Sequence, residues 1–158
     1  MLALTWYDWF KAAHVIAAVL WVGGGVMVTI YAILTLRQND PAETASFARK
    51  VAIIGQRYFT PLSFIVLGFG LGLMENGQSP WTFGQFFVVF ALAGWGASAL
   101  IGIFFLGPES SKLAKLLPER PPEDPEVQYR IRRILTVARV DIAILLAVVF
   151  VMTAKPFL

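Results

Sequence analysis

One histidine stands in the whole chain, and it lies inside an apolar run. WFKAAHVIAAVLWVGGG extends from Trp9 to Gly25, with His14 five residues past Trp9. On a helix that is about 7–8 Å deeper along the axis. Imidazole is a common metal and haem ligand. A polar side chain at such depth in a membrane is costly and turns toward protein. The alternative role is a hydrogen bond to a backbone carbonyl or a water. Met74 and Met152 are the candidate second ligands, since each is expected near the same end of its span as His14. A His/Met set suits haem iron or Cu(I), although methionine also serves as apolar filler.

Asp141 is the second ionisable residue set in an apolar context, near the opposite end of its span. Arg57 falls at a comparable depth, and an Arg57–Asp141 ion pair is expected to pin the second helix to the fourth at some desolvation cost. The alternative is a proton or cation relay. Asp141 and His14 are expected near opposite faces, too far apart for one compact site.

The elements that position these groups follow from composition. The chain of 158 residues is 58% hydrophobic, above the soluble norm, and has no cysteine, which excludes disulfides and thiolate metal sites. Four spans are expected, at about residues 10–36, 57–75, 81–106 and 134–154, each long enough with tilt for a hydrocarbon core of about 30 Å. The fold class is therefore all-α, a polytopic four-helix transmembrane bundle forming one domain. Asp40-Pro41-Ala42-Glu43 has the N-cap, N1 proline and N3 glutamate of a helix start, so the second helix is expected to run from Pro41 to Met74 with Pro61 inside it. Asp124-Pro125-Glu126 starts the fourth helix in the same way, and Lys155-Pro156 is expected to end it. Helices two and four thus extend beyond the bilayer.

Eleven of the thirteen Lys and Arg fall in the connections between spans one and two and between spans three and four, or in the helix ends beside them. The positive-inside rule then puts both termini on the outer side of a bacterial inner membrane. The same rule explains the net charge of +3 without a nucleic-acid partner. Gly24 in helix one, Gly68 and Gly72 in helix two, and Gly94, Ser98 and Gly102 in helix three are expected to let backbones approach closely. Phosphate-binding loops, GxSxG, HExxH and cysteine nucleophiles are all missing, so hydrolytic chemistry has no apparatus.

Trp9, Lys11, His14, Trp21 and Gly24 resemble the opening helix of the HemJ-type membrane protoporphyrinogen oxidases and of CopD-like copper-resistance membrane proteins. The HemJ resemblance implies that His14 ligates haem b. It does not carry the oxidase activity, because the first helix continues VMVTIYAILTLR without the Leu-Pro-Arg segment of that family and no second histidine follows. Over both ends the chain resembles a bacterial family of predicted four-helix integral membrane proteins of unknown function (domain of unknown function 2269). The likeness lies in the WxxxxH opening, QRYFTPLS and VFVMTAKP. Three functions stay open at this point. One is haem-binding electron transfer through His14, with Met152, a dimer-mate histidine or an open position as the second ligand. Another is Cu(I) handling by His14, Met74 and Met152. The third is a non-catalytic scaffold or accessory subunit of a larger membrane complex.

Overall fold

The computed structural model describes residues 5–38, 40–75, 81–121 and 123–155. It is an all-α bundle of four membrane-length helices: α1 (Trp6–Arg37), α2 (Pro41–Glu75), α3 (Phe86–Leu116) and α4 (Pro125–Ala154). The described residues contain no strand. The expected helix stop at Pro156 and the connection through 76–80 lie outside the described residues. Large apolar side chains such as Val19, Phe64, Leu100, Phe104 and Phe150 are exposed, as a lipid-facing surface requires.

Short polar side chains start three of the helices. The Thr5 hydroxyl accepts the Asp8 N–H while Asp8 reaches back to the Thr5 N–H, a complete capping box. Asp40 accepts from the N–H groups of Ala42 and Glu43, and Asp124 accepts from that of Glu126; a proline follows each. α3 departs from expectation at both ends. It starts at Phe86 rather than Trp81, because a turn over Thr82–Gln85 comes first, with the Gln85 side chain accepting the Thr82 N–H at 3.1 Å. It also continues past Leu106 to Leu116.

That continuation depends on how the chain handles proline. A proline inside an α-helix lacks the N–H for its carbonyl four residues back and collides with that carbonyl. Here each of two prolines is preceded by a π-helical turn, Gly55–Phe59 before Thr60-Pro61 and Gly102–Leu106 before Gly107-Pro108. The Thr60 N–H bonds the Gly55 carbonyl and the Gly107 N–H bonds the Gly102 carbonyl, so the helix is widened for one turn just before each proline. Both obey the pattern Gly-x5-Pro, and the two turns touch each other across the bundle. At Gly107 a side chain has little room, since a Cβ would meet the Gly102 carbonyl oxygen at 3.3 Å. Pro61 therefore sits in a continuous helix.

The bundle has two ends of different character. At the end where α1 begins and α4 finishes, α1 packs on the second half of α2, and α3 packs on α4. Lys155 closes α4 in a left-handed conformation (φ 43°), with its ammonium 3.8 Å from the Trp81 ring centroid. At the opposite, basic end the α2 stretch Pro41–Ile54 packs along Gly107–Leu116 of α3, which in turn meets the start of α4. Ala45, Ala48, Leu113, Ala114, Leu117, Val127 and Ile131 form the core there. On α2 the small residues Ala45 and Ala48 are buried, while Ile54 and Tyr58 are exposed.

Glu109, buried just beyond the α3 π turn and outside the span, accepts Arg130 at 2.8 Å and Lys112 at 3.0 Å. Arg130 also holds Glu126 at 2.9 Å. The Lys112 hydrogen bond, with Arg130 nearby, keeps the Glu109 carboxyl below its ordinary value of 4.5. A depressed folded-state value adds stability that is present above the ordinary value and is lost as pH falls through the folded one. We expect the α3–α4 junction to loosen on acidification below about pH 4.5, seen as faster amide exchange over 107–116. Glu109→Gln should exchange faster at neutral pH and lose that acid step; an unchanged acid profile in the variant would remove Glu109 as the source.

Candidate functional site

Helical rise sets the depth of each polar group. Ser63 lies twelve residues from Glu75, Ser98 twelve from Phe86 and Asp141 thirteen from Ala154. At 1.5 Å per residue all three fall about 20 Å from the end where α1 begins. His14 and its partner Val66 lie shallower, about 12–14 Å from that end.

His14 is half-buried between α1 and α2, with Nδ1 2.9 Å from the Val66 carbonyl oxygen. A carbonyl only accepts, so Nδ1 carries the proton and donates, leaving Nε2 with the lone pair. The ring gets this close because Gly70 has no side chain: a Cβ there would meet His14 Cε1 at 3.1 Å. Gly72 makes the same allowance for Phe10, where a Cβ would fall 2.5 Å from the ring. Gly24 receives Phe59, at 3.2 Å from a notional Cβ, and a Cβ at Gly94 would overlap Val148 of α4. Gly68 and Gly102, expected at helix contacts, face open space instead. The face of α2 toward α1 is Val66, Gly70 and Gly72, and Gly68 points elsewhere on the helix. Gly70 was not singled out by its sequence, since only its partner reveals its role.

Met74 and Met152 pack together against the cluster of Phe87, Val88 and Val151. His14 instead packs against Val66 and Gly70. Among the described residues no group of three His, Cys, Asp or Glu side chains could hold a metal ion.

Asp141 also departs from expectation. Arg57 is exposed and makes no ion pair with it. The π turn of α2 carries Arg57 on its outward side, while Gly55, Gln56, Phe59 and Thr60 line the interior. The Asp141 Oδ1 atom is buried with no hydrogen-bond partner. The Ser98 side chain lies beside the carboxyl group.

Asp141 forms part of the wall of a partly open cavity of about 520 Å³ in the basic half of the bundle. All four helices contribute, and so do both π turns. The lining is mostly apolar, from Trp21 and Gly25 through Phe47 and Phe59 to Leu145, and Asp141 is its only ionisable side chain. The Trp95 indole N–H of α3 donates to the Ser63 carbonyl of α2 at 2.9 Å. Sequence reasoning found Asp141 and Ser98 but not the cavity. The legible signals were the repeated Gly-x5-Pro pattern and the shared depth of Ser63, Ser98 and Asp141.

The family described as a predicted integral membrane protein (DUF2269) matches residues 8–156. No curated protein and no solved structure matches the chain.

His14→Phe keeps a ring against Gly70 but removes the interhelical hydrogen bond. We expect a loss of about 1 kcal/mol in unfolding free energy, measured by denaturant titration in mixed micelles. An unchanged stability would mean that the bond carries no net weight.

Proposed function

Because the chain belongs to this family of predicted integral membrane proteins, we propose that it binds a small, largely apolar molecule in the chamber between its four helices, with Asp141 and Ser98 as the polar anchor. The observation that carries this is the buried, partnerless Asp141 Oδ1 on the wall of a chamber of about 520 Å³. Chambers of about 300–1,000 Å³ with apolar walls and a few convergent polar groups suit small-molecule ligands. Ionisable side chains inside spans mark binding sites and pathways. A scaffold subunit, alone or in a larger complex, would account for the glycine faces but would need no chamber. The basic end then lies in the cytoplasm of a bacterial inner membrane and both termini lie outside, supported by eleven of the thirteen Lys and Arg at that end.

Gly102→Leu tests the chamber, because a side chain at Gly102 enters open space. In lipid nanodiscs the wild type should bind the neutral probe N-phenyl-1-naphthylamine saturably, with energy transfer from Trp21. Gly102→Leu should weaken binding about tenfold or more with little change in melting temperature. Unsaturable signal, equal in both proteins, would show partition into lipid and overturn the proposal.

A second reading rests on His14. Its Nδ1–H is committed to the Val66 carbonyl and its Nε2 lone pair is free, the state in which ligating imidazoles are held. His14 is the residue that would hold haem b, which when bound would supply one-electron redox chemistry. Met152 is drawn into the Phe87 cluster. The second position would then be open or filled by His14 of a second copy. Protein purified after haem-supplemented expression should show a Soret band with reduced α and β bands, absent in His14→Ala. Colourless wild type would sink this reading and leave the chamber untouched.

A further inference from the structure

Most of the hydroxyl groups that line the chamber are committed to their own helices. Thr29, Thr60 and Ser63 each donate their hydroxyl to a carbonyl of their own helix, at 2.8–3.0 Å. Thr44 and Ser111 do the same. These five lining hydroxyls are spent on their own helices; Ser110 and Gln56 also line the chamber, and Ser98 stands beside the carboxyl. Arg139 on the same helix and Arg57 on a neighbouring one are exposed. Among the described residues no salt bridge reaches Asp141, and its Oδ1 stays without a partner.

A buried carboxyl group stays ionised only beside a counter-charge that also donates hydrogen bonds. A bare metal ion would want several oxygen ligands, and the walls around Asp141 are largely apolar. An ammonium group on an apolar body meets both conditions. Three aromatic side chains, Trp21, Phe47 and Phe59, line the same chamber, and aromatic faces attract cations.

We infer that the ligand of the chamber is a cationic amphiphile, its protonated amine held by Asp141 and Ser98 and its apolar body lying against Trp21, Phe59 and Leu145. This rests on the chamber being a binding site and names the class of molecule it takes.

The test compares two probes of nearly equal shape, monodansylcadaverine, a primary ammonium, and its neutral N-acetyl form. Binding is read by energy transfer from tryptophan in nanodiscs of uncharged phosphatidylcholine, so that lipid charge does not attract the cation. The wild type should bind the cation about tenfold or more tightly than the neutral form. Asp141→Asn, nearly isosteric, should abolish the preference, and Asp141→Glu should retain most of it. Melting temperatures of both variants report whether they fold. Equal binding of the two probes by the wild type, or a preference that survives in folded Asp141→Asn, overturns the inference and leaves the chamber standing. Saturable binding of neither probe overturns the chamber and the inference together.

Discussion

Two prolines within hydrophobic helices set the constraint on which the rest of this structure depends. In lipid a backbone carbonyl released by a proline has no water to turn to. Before both Pro61 and Pro108 the helix is widened for one turn, with the Gly55 and Gly102 carbonyls accepting from N–H groups five residues on. The helices stay continuous and reach the basic end, where α2, α3 and α4 build a core of their own. The widened turns sit side by side at one level. The space they and the helices beside them enclose is the chamber.

The bundle is consequently closed in one half and open in the other. Toward the end where α1 begins, missing side chains let partners interlock: Gly70 with His14, Gly72 with Phe10, Gly94 with Val148. Polar groups there are matched across helices, His14 to Val66 and, slightly deeper, Trp95 to Ser63. Such bonds are modest in membranes, about 0.6 kcal/mol on average, but they fix rotation and register, which apolar packing alone leaves loose. In the basic half the glycines of the π turns, Gly55 and Gly102, have nothing against them. There small residues make space instead of contact.

Set in this frame, His14 and Asp141 differ in kind. His14 has a partner that explains its place: it ties α1 to α2, and ligation of haem at Nε2 would be added to a role already filled. Asp141 has none, since the described protein around it leaves Oδ1 unpaired in a low-dielectric interior. For a family known as predicted integral membrane proteins, that asymmetry directs attention to the chamber before the histidine.

The all-α class and the four spans were legible because a 20-residue apolar run has no other use for its backbone than a helix in lipid. The starts of α2 and α4 were equally legible, because Asp-Pro supplies both the acceptor for the first N–H groups and a residue that needs none. Depth was legible too, being a count of residues along a helix, and it placed His14 and Asp141 in different halves. Rotation about each helix axis was not. It decided that Gly70 rather than Gly68 faces α1, that Arg57 turns outward, and that Met74 and Met152 join Phe87 instead of His14. The apolar residues surround these helices so evenly that periodicity carries little information about facing, and a π turn shifts the facing of everything after it. Only the packed bundle sets those angles, and with them whether a carboxylate meets an arginine or an empty chamber.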